Sequence, residues 1–236
     1  ISVSSAIEGL GGVKGLEKII VPGNNLTVGI VIGIISLIFF FQRFGTKIVG
    51  FAFGPIMVVW FSMIFLLGFF QVIEHVEILK SFNPYYAYDL LVNYPHGFWL
   101  LGAVFLCTTG AEALYSDLGH CGRPNIRLSW IFVKSSLLLN YLGQGALLMS
   151  DPSAIQNPFY RQFPEAWLLP ALVLATLAAI IASQAVISGA YSLTKQAIQL
   201  GFLPRMRVRY TSAREMGQIY MPGVNWALLV GVLAVV

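Results

Sequence analysis

Charged residues are scarce in this sequence. Asp, Glu, Lys and Arg together make up 10% of its 236 residues, whereas 57% of the residues are hydrophobic. The mean hydropathy is +0.78. So few charges cannot cover the surface of a water-soluble domain of this length. The composition therefore excludes a soluble globular protein and predicts an integral membrane protein.

Residues that carry redox and metal chemistry are also few, with two cysteines and three histidines. Cys107 and Cys121 form no CxxC pair and predict no disulfide, and the histidines lie too far apart to give the spacing of zinc ligands. The GxSxG and HExxH motifs of hydrolases and metalloproteases are missing. We therefore predict that the chain is not an enzyme and carries no cofactor. A membrane-embedded enzyme remains the alternative from a different class.

Long apolar runs separated by short polar turns predict an all-α polytopic membrane protein with one transmembrane domain over residues 1–236. A helix needs about 20 apolar residues to cross a hydrocarbon core about 30 Å thick. The predicted helices cover residues 1–10 in part, 26–41, 48–70, 98–118, 126–149, 167–200 and 220–236 in part. Because both ends fall within apolar stretches, we expect a piece of a longer protein that is truncated at both ends.

Two of the predicted spans contain glycines four residues apart. Gly29 and Gly33 lie in the first complete span, and Gly50 and Gly54 lie in the next. Small residues at this GxxxG spacing allow two helix backbones to approach closely in a membrane. Both pairs therefore leave room for another helix to approach closely.

Basic residues are concentrated in alternate loops. One side of the membrane would hold Arg43, Lys47, Arg123, Arg127, Lys195, Arg205, Arg207, Arg209 and Arg214, and the other Lys14, Lys18, Lys80 and Arg161. By the positive-inside rule, the richer side is cytoplasmic, in the plasma membrane or, in a Gram-negative cell, the inner membrane. The late arginines are expected to touch anionic lipid headgroups, and no motif or aromatic context indicates nucleic acid as a partner.

One apolar run turns polar halfway. Residues 98–105 read FWLLGAVF, and CTTGAEALYSDLGHCG follows from Cys107. At a rise of about 1.5 Å per residue, Thr108 lies about 15 Å from Phe98, in the middle of the hydrocarbon core. Irregular backbone or a carboxylate at that depth persists only inside protein or beside a cavity. We therefore predict a discontinuous helix near residues 107–112; the alternative is a polar seam packed against neighbouring helices.

The oxygen atoms of this segment suit a cation. The hydroxyls of Thr108 and Thr109, the Glu112 carboxylate and the carbonyls freed by a break at Gly110 would form an oxygen-rich cage. Tyr115 shares one helical stripe with Thr108 and Glu112. A buried carboxyl group favours its protonated form, whereas a bound cation favours the carboxylate. Glu112 is therefore the candidate for exchanging a proton against a cation.

Polar side chains also occur inside later spans. Asn140 and Gln144 are one helical turn apart, and so are Gln184 and Ser188. Each pair either holds neighbouring helices together or surrounds the cation site behind its ligands. Lys134 either extends along its helix to the cytoplasmic surface or pairs with a carboxylate of the interrupted segment.

Several long motifs resemble the Kup (KUP/HAK/KT) family of potassium uptake permeases. They are TTGAEALYSDLGHCGRPNIRLSW, LLLNYLGQGALLM, IASQAVISGAYSLTKQAIQLG and GQIYMPGVNW, in that order. The resemblance covers essentially the whole sequence and implies the end of the third helix through the start of the ninth in a twelve-helix transporter. It also implies the LeuT-type fold of the amino acid-polyamine-organocation superfamily, with two inverted repeats and a sixth helix unwound at mid-membrane.

The same resemblance implies potassium uptake coupled to proton entry, with the potassium ion, the proton and the lipid bilayer as partners. The sixth-helix Thr-x-x-Glu pattern of the family falls on Thr109 and Glu112, as a cation ligand and as a ligand or proton-coupling acid. Thr108 and Tyr115 are adjacent candidates, and further ligands would precede Ile1. A homodimer of the full-length protein is left open. The alternative functions are an amino acid transporter of the same superfamily, coupled to a cation, and a membrane scaffold.

Overall fold

The computed structural model of the chain describes residues 3, 6, 7, 9, 24–44, 47–108, 123–210 and 219–235. Within these ranges the chain is mostly helical. The α-helices are α1 (Asn25–Phe41), α2 (Lys47–Glu74), α3 (Pro84–Asn93), α4 (Gly97–Thr108), α5 (Arg123–Ser150), α6 (Pro158–Arg161), α7 (Glu165–Gln199) and α8 (Pro222–Leu233). Turns of 3-10 helix cover Gln42–Phe44, Val76–Phe82 and Pro152–Gln156.

Two of the described helices are long and apolar enough to cross a bilayer, judged by length and composition. They are Phe51–Glu74 within α2 and Ala166–Gln199 within α7. In their most apolar windows, only 17% and 28% of the residues are buried inside the chain. A core helix of a soluble protein would be mostly buried, so this exposed apolar surface indicates contact with lipid or with other membrane helices. The helices agree with the predicted membrane class.

Helix bounds differ from the predictions mainly where apolar character ends before the helix does. Helix α2 continues past the predicted end at Phe70 to Glu74, and α5 begins at Arg123, before the predicted Ile126. A helix satisfies its backbone hydrogen bonds internally, so it can continue into the polar interfacial layer. Helix α4 is described to Thr108, and the rest of the predicted helix over 98–118 lies outside the described residues.

A short antiparallel β-pair is a small departure from the predicted all-α fold. Strand β1 (Arg209–Tyr210) pairs with β2 (Ile219–Tyr220), so that Arg209 lies opposite Tyr220 and Tyr210 opposite Ile219. Strands of two residues are too short to show an alternating pattern in the sequence, which is why this pair was not predicted.

Contacts group the chain into two compact units. The first unit comprises Ile1–Ser62 and Phe159–Val236, and the second comprises Met63–Pro158. The core of the first unit is a cluster of buried side chains from α1, α7, α8, strand β2 and the start of the chain. Its members are Val3, Ile7, Val31, Ile35, Ile38, Phe39, Ile187, Tyr191, Tyr220, Met221 and Leu229. The prediction of one transmembrane domain stays a prediction.

Within the second unit, α2 and α5 approach closely through glycines. A Cβ atom on Gly68 would collide with the Leu139 carbonyl group, and a Cβ on Gly143 would lie 2.7 Å from the Gly68 Cα. The absence of side chains at both positions is what allows the two backbones to touch.

The GxxxG pairs have no packed neighbour in the described part of the chain, so close approach of another helix at these glycines stays a prediction. Among the described residues, a Cβ on Gly29, Gly33 or Gly54 would meet nothing within 4 Å. The side chain position of Gly50 lies outside the described part of the chain. Glycine spacing permits close approach, but it does not supply the second helix.

Helix α7 stops at a well-defined cap. Gly201 has a φ of +80°. Its N–H donates to the Ile198 carbonyl at 3.1 Å, and the Phe202 N–H donates to the Ala197 carbonyl at 2.9 Å. These two bonds and the left-handed glycine form a Schellman motif. The motif fixes where this membrane-length helix ends, within one residue of the prediction, and where the basic segment begins.

Candidate functional site

The predicted cation ligands fall largely beyond what the structure describes. Thr109, Glu112 and Tyr115 lie outside the described residues, and Thr108 is the last residue of α4, with its side chain also outside. The discontinuous helix and its oxygen cage therefore stay predictions. Among the described residues, no group of three or more His, Cys, Asp or Glu residues is placed to hold a metal ion.

The helix that leads to the predicted site presents an apolar surface. An open groove of about 640 Å³ runs along α4 and is lined by Phe98, Trp99, Leu101, Gly102, Val104 and Phe105. The aromatic rings in it are mostly exposed. An apolar groove offers no oxygen ligands to a cation, which needs them to replace its water shell. The groove therefore suits lipid or another helix rather than a cation.

Asn140 is buried on α5 beside the glycine contact with α2. Asn140 is 7% exposed, and its side-chain oxygen Oδ1 has no hydrogen-bond partner among the described residues. A buried amide oxygen without a partner is unfavourable for stability. Gln144, one turn further, is partly buried. Among the described residues, the Asn140 oxygen therefore forms no hydrogen bond to another helix. Whether Asn140 and Gln144 hold helices together or surround the cation site stays a prediction.

Gln184 instead forms a reciprocal amide pair with Gln42, which follows α1. The Gln42 Nε2 donates to the Gln184 Oε1 at 2.7 Å, and the Gln184 Nε2 donates to the Gln42 Oε1 at 3.0 Å. This arrangement favours the interpretation that Gln184 holds helices together. Ser188, one turn further along α7, is partly buried. Gln184 and Ser188 belong to the first unit, whereas Asn140 and Gln144 belong to the second.

A buried polar network at the end of α1 was missed by the sequence reasoning. The Tyr191 hydroxyl donates to the Asn225 Oδ1 at 2.5 Å, and the Asn225 Nδ2 donates to the Phe39 carbonyl at 3.3 Å. Tyr191 and Asn225 are 1% and 2% exposed. Phe39 lies in the last turn of α1, where carbonyls lack regular partners within the helix. The signal was Asn225 itself, a lone amide in the apolar run PGVNWALLVGVL.

Lys134 lies on the exposed surface of α5. Its ammonium group is 3.5 Å from the centroid of the Trp130 ring, one turn closer to the start of the helix. A lysine that extends towards the membrane surface along an aromatic side chain gains a cation–π contact while its charge stays near water. This direction favours the alternative in which Lys134 extends towards the surface near Arg127; the carboxylates of the other alternative lie outside the described residues.

Comparison with known proteins identifies the family. A family model described as the K+ potassium transporter integral membrane domain matches residues 1–236. The chain is 52% identical over 236 residues to "Probable potassium transport system protein Kup 2" of Albidiferax ferrireducens, covering 99% of this chain and 38% of that protein. It is 53% identical to "Probable potassium transport system protein Kup" of Cupriavidus pinatubonensis, covering 99% and 37%. No solved structure gives a significant match.

A relative in Cytophaga hutchinsonii, "Probable potassium transport system protein Kup", is 51% identical, with 100% of this chain and 36% of that protein covered. The chain thus spans between 36% and 38% of the length of these relatives. They are named as transport proteins, which confirms the prediction that the chain is not an enzyme. The prediction from the motifs is confirmed: the chain belongs to the Kup family of potassium transporters and matches its integral membrane domain over residues 1–236.

Proposed function

We propose that this chain forms part of the membrane domain of a secondary active potassium uptake transporter. The observation that carries the proposal is the family match over residues 1–236, with relatives at 51–53% identity whose names specify potassium transport. Those names favour potassium over the amino acid alternative. Because the chain spans at most 38% of these three relatives, the activity belongs to the complete transporter.

In this proposal potassium binds at an interrupted helix in the middle of the membrane. Thr109 and Glu112 are its ligands, with Thr108 and Tyr115 as weaker candidates. The length of α4 is compatible with this depth, because its 12 residues from Gly97 rise about 18 Å, slightly more than half of a hydrocarbon core about 30 Å thick. Carbonyl, hydroxyl and carboxylate oxygens there would replace the water shell of the ion.

Coupling to protons would rest on a single carboxyl group. Because burial favours the protonated form, Glu112 would carry a proton beside the bound potassium while the site faces outside, and both ions would leave once the site faces inside. Rocking of one inverted repeat against the other would expose the site to each side in turn, with the remaining ligands supplied by helices outside this chain. The transporter would then be a K⁺/H⁺ symporter whose basic loops face the cytoplasm.

Rubidium uptake tests this role of Glu112. The complete transporter carrying Glu112→Gln is expressed in cells that lack other potassium transporters, and ⁸⁶Rb⁺ uptake is measured at two external pH values. We expect uptake to fall tenfold or more, on the order of at least 1.4 kcal/mol, or to lose its dependence on pH. Glu77→Gln is the matched control, because Glu77 is exposed and lies 4.0 Å from the exposed Lys80 ammonium. Normal pH-dependent uptake by Glu112→Gln would remove Glu112 from the mechanism.

A second variant separates ion binding from proton coupling. Thr109→Val keeps the shape of the side chain but removes its hydroxyl, so we expect the KM for Rb⁺ to rise on the order of tenfold with the pH dependence retained. Thr194→Val is the control, because the Thr194 hydroxyl donates to the Ala190 carbonyl of its own helix at 2.7 Å. An unchanged KM for Thr109→Val would contradict its assignment as a ligand.

A further inference from the structure

The segment after α7 exposes three arginines on one face. Arg205, Arg207 and Arg209 are exposed, whereas Met206 and Val208 between them are partly buried and pack against the core of the first unit. Alternation with a period of two is the pattern of an extended chain with one packed face. At a rise of about 3.3 Å per residue, successive arginines of this row are about 6.6 Å apart. The chain therefore holds a regular row of guanidinium groups outward, and the two apolar side chains anchor it.

The arginine row (Arg205, Arg207 and Arg209) is not neutralised by the described part of the protein. None of the three forms an ion pair with any acidic residue that the structure describes. A fourth charge lies nearby, because the Lys195 ammonium is 5.2 Å from the centroid of the Tyr210 ring. The three arginines of the row and this lysine of α7 together form a positive surface that favours an anionic partner.

The position of the arginine row indicates which class of anion it contacts. It begins a few residues after the Schellman cap that ends α7, a helix long and apolar enough to cross a bilayer. A segment that starts at the end of a membrane helix lies at the level of the lipid headgroups. Phe202, which is 78% exposed, and Tyr210, also exposed, flank the row. Exposed aromatic side chains beside cations suit the boundary between headgroups and acyl chains, whereas a freely dissolved phosphate would gain nothing from them.

We propose that the arginine row is a binding surface for anionic phospholipid headgroups, such as those of phosphatidylglycerol. Each guanidinium can form paired, charge-assisted hydrogen bonds to phosphate oxygens, which an ammonium group matches less well. The anchoring of Met206 and Val208 in the core means that the row is already ordered before lipid binds, which lowers the entropy cost of binding. This surface acts independently of the proposed cation site.

Lipid titration of the purified complete transporter tests this surface. The midpoint of thermal unfolding is followed in an uncharged detergent as phosphatidylglycerol, phosphatidylcholine or soluble glycerol phosphate is added. We expect phosphatidylglycerol to raise the midpoint most. The triple change Arg205→Gln, Arg207→Gln and Arg209→Gln should weaken the apparent phosphatidylglycerol affinity on the order of 100-fold, from about 1 kcal/mol per basic residue near an anionic membrane and 1.4 kcal/mol per tenfold.

Two control variants sharpen the test. Changing Lys14, Lys80 and Arg161 to Gln removes the same charge from loops assigned to the other side, and the phosphatidylglycerol response should persist. Changing the three arginines of the row to Lys should keep most of the response at 0.1 M salt and lose it at 1 M, where screening shortens from about 10 Å to about 3 Å. If the triple Gln variant does not fold, Arg207→Gln alone should weaken affinity about fivefold.

Several outcomes would overturn the proposal. The row is not a lipid surface if the triple Gln variant keeps the full response to phosphatidylglycerol, or if phosphatidylcholine stabilises the parent protein equally. Equal stabilisation by glycerol phosphate would indicate a site for free phosphate instead. Loss of stability in the absence of lipid, with the lipid response unchanged, would show that another part of the transporter covers the row.

Discussion

The two compact units hold their helices together in different ways. In the first unit, α1 is joined to α7 and α8 by side chains: Gln42 pairs with Gln184, and Asn225 links Tyr191 to the Phe39 carbonyl. In the second unit, α2 and α5 touch backbone to backbone at Gly68 and Gly143, and the nearby Asn140 oxygen has no partner among the described residues.

This contrast matters because lipid removes the usual driving force for helix association. Lipid tails are as apolar as the helices, so close van der Waals packing and interhelical hydrogen bonds have to supply the attraction. Two backbones can touch at a glycine only while the space beside its Cα stays empty, and any added side chain would fill that space. A hydrogen bond between long side chains tolerates small shifts of the two helices. The second unit should therefore be the more sensitive to added atoms, and the first unit to deleted polar ones.

Gly68→Ala should have the largest effect on stability. Its new Cβ would collide with the Leu139 carbonyl, which cannot move without separating α2 from α5. We expect the free energy of unfolding to fall by about 3 kcal/mol or more, measured by thermal unfolding of the complete transporter in detergent. Gly54→Ala on the same helix is the control, because its Cβ would meet no described atom within 4 Å. Equal stability of the two variants would disprove the glycine contact.

Asn225→Leu should come next, because it deletes polar atoms rather than adding bulk. It leaves the Tyr191 hydroxyl and the Phe39 carbonyl buried without partners, at about 2–3 kcal/mol in total. Tyr191→Phe should cost less, and the double variant should be more stable than the sum of the two losses predicts, by about 1 kcal/mol. Tyr210→Phe, on an exposed tyrosine, is the control for removal of a hydroxyl. Strict additivity would show that Tyr191 and Asn225 do not act together.

The long helices could be predicted from the sequence because their causes are local. Helix α7 is continuous and apolar and ends at a glycine that the backbone requires, so its predicted span of 167–200 is close to the observed Glu165–Gln199. Family membership could also be predicted, because several long motifs that resemble the family occur in this sequence in the expected order. The bounds of α2 were less accurate, since apolar character reports depth in the lipid rather than where helical hydrogen bonding stops.

Contacts between distant segments could not be predicted in the same way. The pairing of Tyr191 with Asn225 joins residues 34 positions apart, and that of Gln42 with Gln184 joins residues 142 positions apart. Gly29 and Gly33 have the spacing for close approach but no neighbour among the described residues, whereas Gly68 has a neighbour without that spacing. A sequence motif indicates which helix faces permit close contact with another helix. The arrangement of the helices determines which of those faces makes the contact.

Gln184→Leu should have a smaller effect than the changes at Asn225. The amide pair with Gln42 is only partly buried, and interhelical hydrogen bonds in membranes contribute about 0.6 kcal/mol on average and up to about 1.7. We expect a loss in this range in thermal unfolding, with much of it recovered when Gln42→Leu is added, because two apolar side chains leave no unpaired amide. A double variant less stable than either single one would show that the pair contributes more than these two hydrogen bonds.

Asn140→Leu should have the smallest effect on stability, and it is the most informative of these variants about function. Leucine has nearly the same shape as asparagine, and the Asn140 oxygen has no partner to lose among the described residues. The free energy of unfolding should therefore change by less than about 0.5 kcal/mol or rise slightly, opposite in sign to Asn225→Leu. A large loss would mean that a partner outside the described residues binds this oxygen.

If stability is unchanged but the KM for Rb⁺ rises, Asn140 supports the cation site. If both are unchanged, the residue is a polar side chain whose hydrogen bonding contributes neither to packing nor to transport.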